Sequence, residues 1–166
     1  MKNLYLILGC CIVLFSCKKE DQGAGHFDIS VGFVYRDVNN VDLLDPNTVS
    51  IFKAADIDIY CLTNAGEKRR IYRANLDRPE MFKVEHQGNE LGYVLTLGFG
   101  PDGDCYDQNN KATMYIRYKD GSEDTLVGEF NSDRGNGYTQ LKKLWVNNKL
   151  EWSGYPASKL NLVLKK

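Results

Sequence analysis

The chain has 166 residues, 43% hydrophobic and 26% charged, with a formal net charge of −1, which is enough for one domain with a substantial core. Its 21 basic residues face 22 acidic ones, so there is no cationic excess to hold a phosphate backbone, and nucleic-acid binding is disfavoured. Cysteines survive as disulfides only where the compartment is oxidising, so the five present must be read together with the address the chain carries.

That address stands first. Lys2 supplies a positive start, residues 4–15 are apolar, and Leu14-Phe15-Ser16-Cys17 places a small residue directly before a cysteine. The apolar run is shorter than the roughly 20 residues a bilayer span requires and has the layout of a cleaved signal. The Leu14-Phe15-Ser16-Cys17 stretch resembles the lipobox of bacterial lipoproteins. The resemblance implies cleavage before Cys17 and lipid attachment to it. Cys10 also follows a small residue, but only residues 4–8 would remain as its apolar core, fewer than the roughly 7 such signals use. An ordinary secretory signal with a chance cysteine is the other reading.

Lys19-Glu20-Asp21 follows the cysteine and resembles the lysine-then-two-acids tag that sends Bacteroidota lipoproteins to the outer face of the outer membrane. The alternative is a solvated tether next to the anchor. Firm attachment would come from adding acyl chains, since a single chain binds only marginally. The chain then divides into a signal peptide over 1–16, a lipidated flexible tether over 17–26 and one domain over 27–166. Lys2 leaves with the signal, so 20 basic residues face 22 acidic ones, a net charge of about −2.

Within the domain the period is two residues. Phe27, Ile29, Val31, Phe33 and Tyr35 share one face of the first strand, a strong strand signal. Ile57, Ile59 and Cys61 alternate next, and Asn64-Ala65-Gly66 predicts a hairpin loop into 68–72. Phe82, Val84 and His86 align over 81–87, and Gly88-Asn89 turns the chain into 91–99, where Tyr93, Leu95, Leu97 and Phe99 align. Met114, Ile116 and Tyr118 define the run 112–119, Asp120-Gly121 the turn into 125–130, and Asn147-Asn148 the turn between 141–146 and 149–152. Leu160, Leu162 and Leu164 tie the last segment into a sheet. Eight or nine short strands without a helical stripe predict an all-β fold. An antiparallel β-sandwich, loosely immunoglobulin-like, fits best.

With Cys10, Cys11 and Cys17 assigned to signal and anchor, Cys61 and Cys105 remain. They are either a disulfide, contributing about 2–4 kcal/mol by closing a long loop, or two buried thiols packed as small hydrophobes. Asp102, Asp104 and Asp107, with Asn109 and Asn110 behind, offer oxygen ligands of the kind Ca²⁺ takes. Asp37, Asn39, Asp42 and Asp45 form a second acidic loop. Turn chemistry explains both without metal, because Asp and Asn bend loops by bonding their own backbone. No cofactor is called for.

His26 and His86 have no partner at a meaningful spacing, and neither a nucleophile elbow nor a phosphate loop is present. The chain therefore reads as non-enzymatic. Lys68-Arg69-Arg70 is a solvated strand start, with a small-anion or acidic-glycan patch as the sharper alternative. Trp145 and Trp152 flank the 147–148 turn, and Tyr72, Tyr93, Tyr106, Tyr115, Tyr138 and Tyr155 are spread along the chain. These aromatics are either core, the two tryptophans pairing across the hairpin, or a surface for stacking sugars or anchoring a protein.

The segments Asp42-Leu43-Leu44-Asp45-Pro46, Ile57-Asp58-Ile59-Tyr60 and the run 143–152 resemble a pattern of small Bacteroidota lipoproteins. The resemblance implies a β-rich surface lipoprotein and assigns no chemistry. The expectation is an outer-membrane protein facing the exterior, attached to the membrane through its lipid, that binds a glycan or a protein. An accessory subunit of an envelope assembly comes second, favoured if the strand over 27–35 is an uncovered edge, and a hydrolase third.

Overall fold

The computed structural model describes residues 26–75, 79–99, 103–133, 138–154 and 160–166. The signal, Cys17, the Lys19-Glu20-Asp21 tag, Asp102 and Tyr155 lie outside the described residues.

The strands are β1 (His26–Asp28), β2 (Ser30–Arg36), β3 (Asp58–Leu62), β4 (Lys68–Arg70), β5 (Phe82–His86), β6 (Tyr93–Gly98), β7 (Lys111–Arg117), β8 (Glu123–Asp133), β9 (Tyr138–Val146), β10 (Lys149–Ser153) and β11 (Asn161–Lys165). A single helical turn, α1 (Gly88–Leu91), links β5 to β6. No helix of the described residues is long and apolar enough to cross a membrane.

The strands make an all-β, sandwich-like fold of two unclosed sheets. One runs β1-β9-β8-β7-β3-β4, with β10 also on β9, and the other β11-β2-β6-β5. The alternation read from the sequence sets the core. Val31, Phe33 and Tyr35 of β2, with Leu95 and Leu97 of β6, meet Ile59 and Cys61 of β3, Met114 and Ile116 of β7, and Leu126, Leu141 and Leu144 of β8 and β9. Each such buried side chain contributes about 1.5–3 kcal/mol.

Two pairings are parallel, in a fold whose other ladders are antiparallel: β1 on β9 and β11 on β2. The first expected strand is accordingly two. The chain leaves the larger sheet after β1 and enters the smaller one at β2, with Ile29 at the corner accepting a bond from the Phe99 N–H at 3.0 Å. β2 is interior, between β11 and β6, and buried on both faces from Val31 to Tyr35.

The turns follow their residues. Gly66 and Gly121 take φ of 80° and 83° at two hairpins, and Asn147 and Asn148 take φ of 50° and 67° at the third, the left-handed pair that a two-residue hairpin needs. The 37–57 loop folds back over one end of the sandwich. Phe52 stacks on Tyr35 at 5.3 Å and meets Tyr118 edge-on at 4.7 Å. The Lys53 ammonium bonds the carbonyls of Asp45 (2.8 Å), Pro46 (2.7 Å) and Thr48. Arg36 and Asp42 pair at 2.9 Å, and Asp42 also accepts the Tyr93 N–H at 2.8 Å, fastening the loop to β6.

Under that loop lies a polar network. Asp124, only 1% exposed, accepts from Tyr118, from Asn147 at 2.8 Å and from Lys166. The Tyr118 hydroxyl is 2.8 Å from that of Tyr35. Burial, reinforced by neighbouring charge, pushes both tyrosine hydroxyls far above the ordinary 10.0, so they stay protonated.

Candidate ligand-binding face

Inward residues of β3, β7 and β9 are apolar and none is aromatic, so the aromatic residues one position out of phase must lie on the sheet's other face. Tyr60 and Tyr115 are direct cross-strand partners, and Trp145 stands opposite Val127 two strands away. All three are half-buried. Neighbouring strands are about 4.8 Å apart and alternate residues along a strand about 6.8 Å apart, so these rings span an open sheet surface, with Leu62, Thr113 and Val127 between them.

Cations frame the rings. The Lys68 ammonium lies 3.8 Å from the Tyr115 ring centroid, and the Arg117 guanidinium 6.0 Å from that of Tyr60. Lys111 and Lys143 flank the indole of Trp145 at 5.6 and 5.8 Å. Such contacts contribute about 0.5–1 kcal/mol at exposed sites, little enough for a ligand to displace them. The acids of this face are paired: Asp58 with Arg70 at 2.5 Å, Glu123 with Lys68 at 2.5 Å, and Glu129 with Lys143 at 3.3 Å.

Glu129 is the most enclosed of these acids, its side chain 18% exposed. Burial alone would raise its pKa, yet Lys143, Lys142 and Lys111 together hold it below the ordinary 4.5. Two lysines reach it from one strand because β9 carries a bulge there. Glu129 pairs with Lys143 while Phe130 pairs with Leu141, leaving Lys142 as the extra residue, and a bulge sets two residues against one.

No family model, no curated protein and no solved structure matches this chain.

The expected site residues fall in several places. Cys61 and Cys105 are bonded, their Cα atoms 5.9 Å apart, joining β3 to the turn before β7. Asp107 accepts the Asn109 and Lys111 N–H groups at 2.8 Å each, while Asp104 is 77% exposed and lies 3.4 Å from Arg69. Asp37 accepts the Asn39 and Val41 N–H groups at 2.8 Å, and Asp45 that of Asn47 at 2.8 Å. Among the described residues, no three His, Cys, Asp or Glu side chains gather as a cation would require.

The tryptophans do not pair. Trp145 faces Leu150, and a bulge at Glu151 brings Trp152 opposite Leu144. A two-residue turn at 147–148 matches 145 with 150, which by alternation alone would leave Trp152 on the outer face with Trp145; the bulge turns Trp152 to the core instead. Tyr93 and Tyr106 pack against the core, Tyr72 is 58% exposed, and His86 sits at the end of β5 with its ring against Tyr93. Tyr60 was not among the aromatics singled out by the sequence. Its out-of-phase position between Ile59 and Cys61 was the available signal.

Proposed function

We propose that this chain is a non-catalytic glycan-binding module, held at the outer membrane by a lipid on Cys17 and displayed to the exterior. The row Tyr60, Tyr115 and Trp145 on the outer face of the seven-stranded sheet is the observation that supports this most. A pyranose ring presents an apolar C–H face and a rim of hydroxyls. Aromatic rings supply large, rigid area for the first, and the surrounding charged and hydroxyl side chains bond the second. The accessory-subunit reading would gain from an uncovered apolar edge strand, but β2 is flanked on both sides. A hydrolase reading gains nothing from acids that are each matched with a cation.

Cells carrying the wild-type chain, or a variant with Lys19, Glu20 and Asp21 changed to Ala, would be incubated intact with a panel of labelled glycans. The expected result is binding to wild-type cells, none to variant cells, and equal binding after lysis. Wild-type cells that bind only after lysis would refute exterior display. No binding in any sample would refute the glycan reading.

A further inference from the structure

We infer that the saccharide is anionic, and that Trp145 with Lys111 and Lys143 forms the subsite that reads its acidic group. This rests on the glycan-binding reading and names the ligand's charge.

The chain as a whole is slightly acidic, with 22 carboxylates against 21 cations, so a local positive excess is not a by-product of composition. Around Trp145 the sign reverses. The Lys142 and Lys143 ammonium groups lie 3.6 and 3.3 Å from the same Glu129 oxygen, and the charge of Lys111 also bears on that carboxylate. Three lysines thus surround Glu129, with Asp107 at the Lys111 backbone as a second acid, which leaves a positive excess next to a half-buried indole.

The bulge makes this a built arrangement. In a regular ladder consecutive residues point to opposite faces, so Lys142 would enter the core beside Leu144 and Leu141 would turn outward. The extra residue keeps both leucines buried and brings both lysines to Glu129. A sugar ring stacked on the indole would then bring its carboxylate or sulfate to the outward side of Lys111 and Lys143, the two cross-strand neighbours of Glu129, whose ammonium groups stand 5.6 and 5.8 Å from the ring centroid. An ionised acceptor meeting an ammonium donor makes the stronger class of hydrogen bond.

The test is equilibrium binding of the full chain in detergent to four probes. These are a galacturonate trisaccharide, its carboxyl-reduced neutral counterpart, a sulfated trisaccharide and a single-stranded oligodeoxynucleotide. We expect the uronate or the sulfated sugar to bind at least about tenfold tighter than the neutral one, the scale of one charge-assisted hydrogen bond. Lys111→Gln/Lys143→Gln should erase that preference, bringing the acidic and neutral sugars to the same affinity. Trp145→Phe should weaken acidic and neutral sugars alike. Equal affinity for acidic and neutral sugars would overturn the anionic assignment and leave the glycan reading standing. So would an oligonucleotide held as tightly as the acidic sugar, since charge alone would then suffice. Failure of all four probes would overturn both.

Discussion

Tyr118 donates a hydrogen bond from its hydroxyl to a carboxylate that water barely reaches, and Tyr35 stands 2.8 Å behind it. Ionising either phenol would set a second negative charge beside Asp124 with little solvent to screen it. In the unfolded chain both titrate near 10.0, whereas in the fold burial keeps them protonated well above that. Above pH 10 the native state therefore binds more protons than the unfolded one, and unfolding becomes easier as pH rises. Their contribution is fully present below pH 10 and is lost progressively above it. Urea midpoints at pH 8 and pH 10.5 should show this fall, and Tyr118→Phe should shrink it. An unchanged pH dependence in Tyr118→Phe would place the alkaline sensitivity elsewhere. None of this network was visible in the sequence, because Tyr35, Asp124, Asn147 and Lys166 are brought together from four distant segments. The acidic loops were more legible: Asp37, Asp45 and Asp107 do what aspartate does at turns, which is to bond their own backbone. For Cys61 and Cys105 only the meeting of β3 with the turn at 103–105 decides between bond and thiol. A loop of 44 residues closed this way contributes about 4 kcal/mol in the chain-entropy model.

At the level of elements, alternation located nearly every strand, because a half-wet sheet writes its inside and outside into consecutive residues. What alternation cannot carry is the partner. β11 pairs in parallel with β2, more than a hundred residues earlier in the chain, and β1 with β9. Nor does alternation reveal bulges, so the pairing of Trp145 and the lysines around Glu129 had to come from the fold. The β11–β2 contact depends on one small residue. Asn161 lies over Gly32, and a Cβ at that position would sit 1.9 Å from the Asn161 Oδ1 and 3.0 Å from a Val94 methyl. Gly32→Ala should therefore force β11 outward and cost about 1–3 kcal/mol, the range for overpacking. Chemical denaturation measures it, and a loss well under 0.5 kcal/mol would mean that Asn161 swings aside freely.

Across the whole molecule the two sheets divide the work. The smaller sheet, with β2 buried on both faces, and the 37–57 loop fix the core and one end. The larger sheet is left with a broad outer face bearing three aromatic rings and their cations. Three of the edge strands are guarded by charge, with Lys68, Arg69 and Arg70 on β4, Lys83 and Glu85 on β5, and Lys149 and Glu151 on β10, which discourages edge-to-edge pairing there. A face that is open and aromatic, between edges that resist strand addition, is suited to a ligand that stacks. The most direct test compares wild type with a Tyr60→Ala/Tyr115→Ala/Trp145→Ala variant by equilibrium binding to whichever panel glycan the wild type retains. Thermal unfolding of each checks that the fold survives. The account predicts a loss of at least about tenfold in affinity, as expected when aromatic anchors are truncated, with the fold intact. A folded triple variant that binds as tightly as wild type would contradict it.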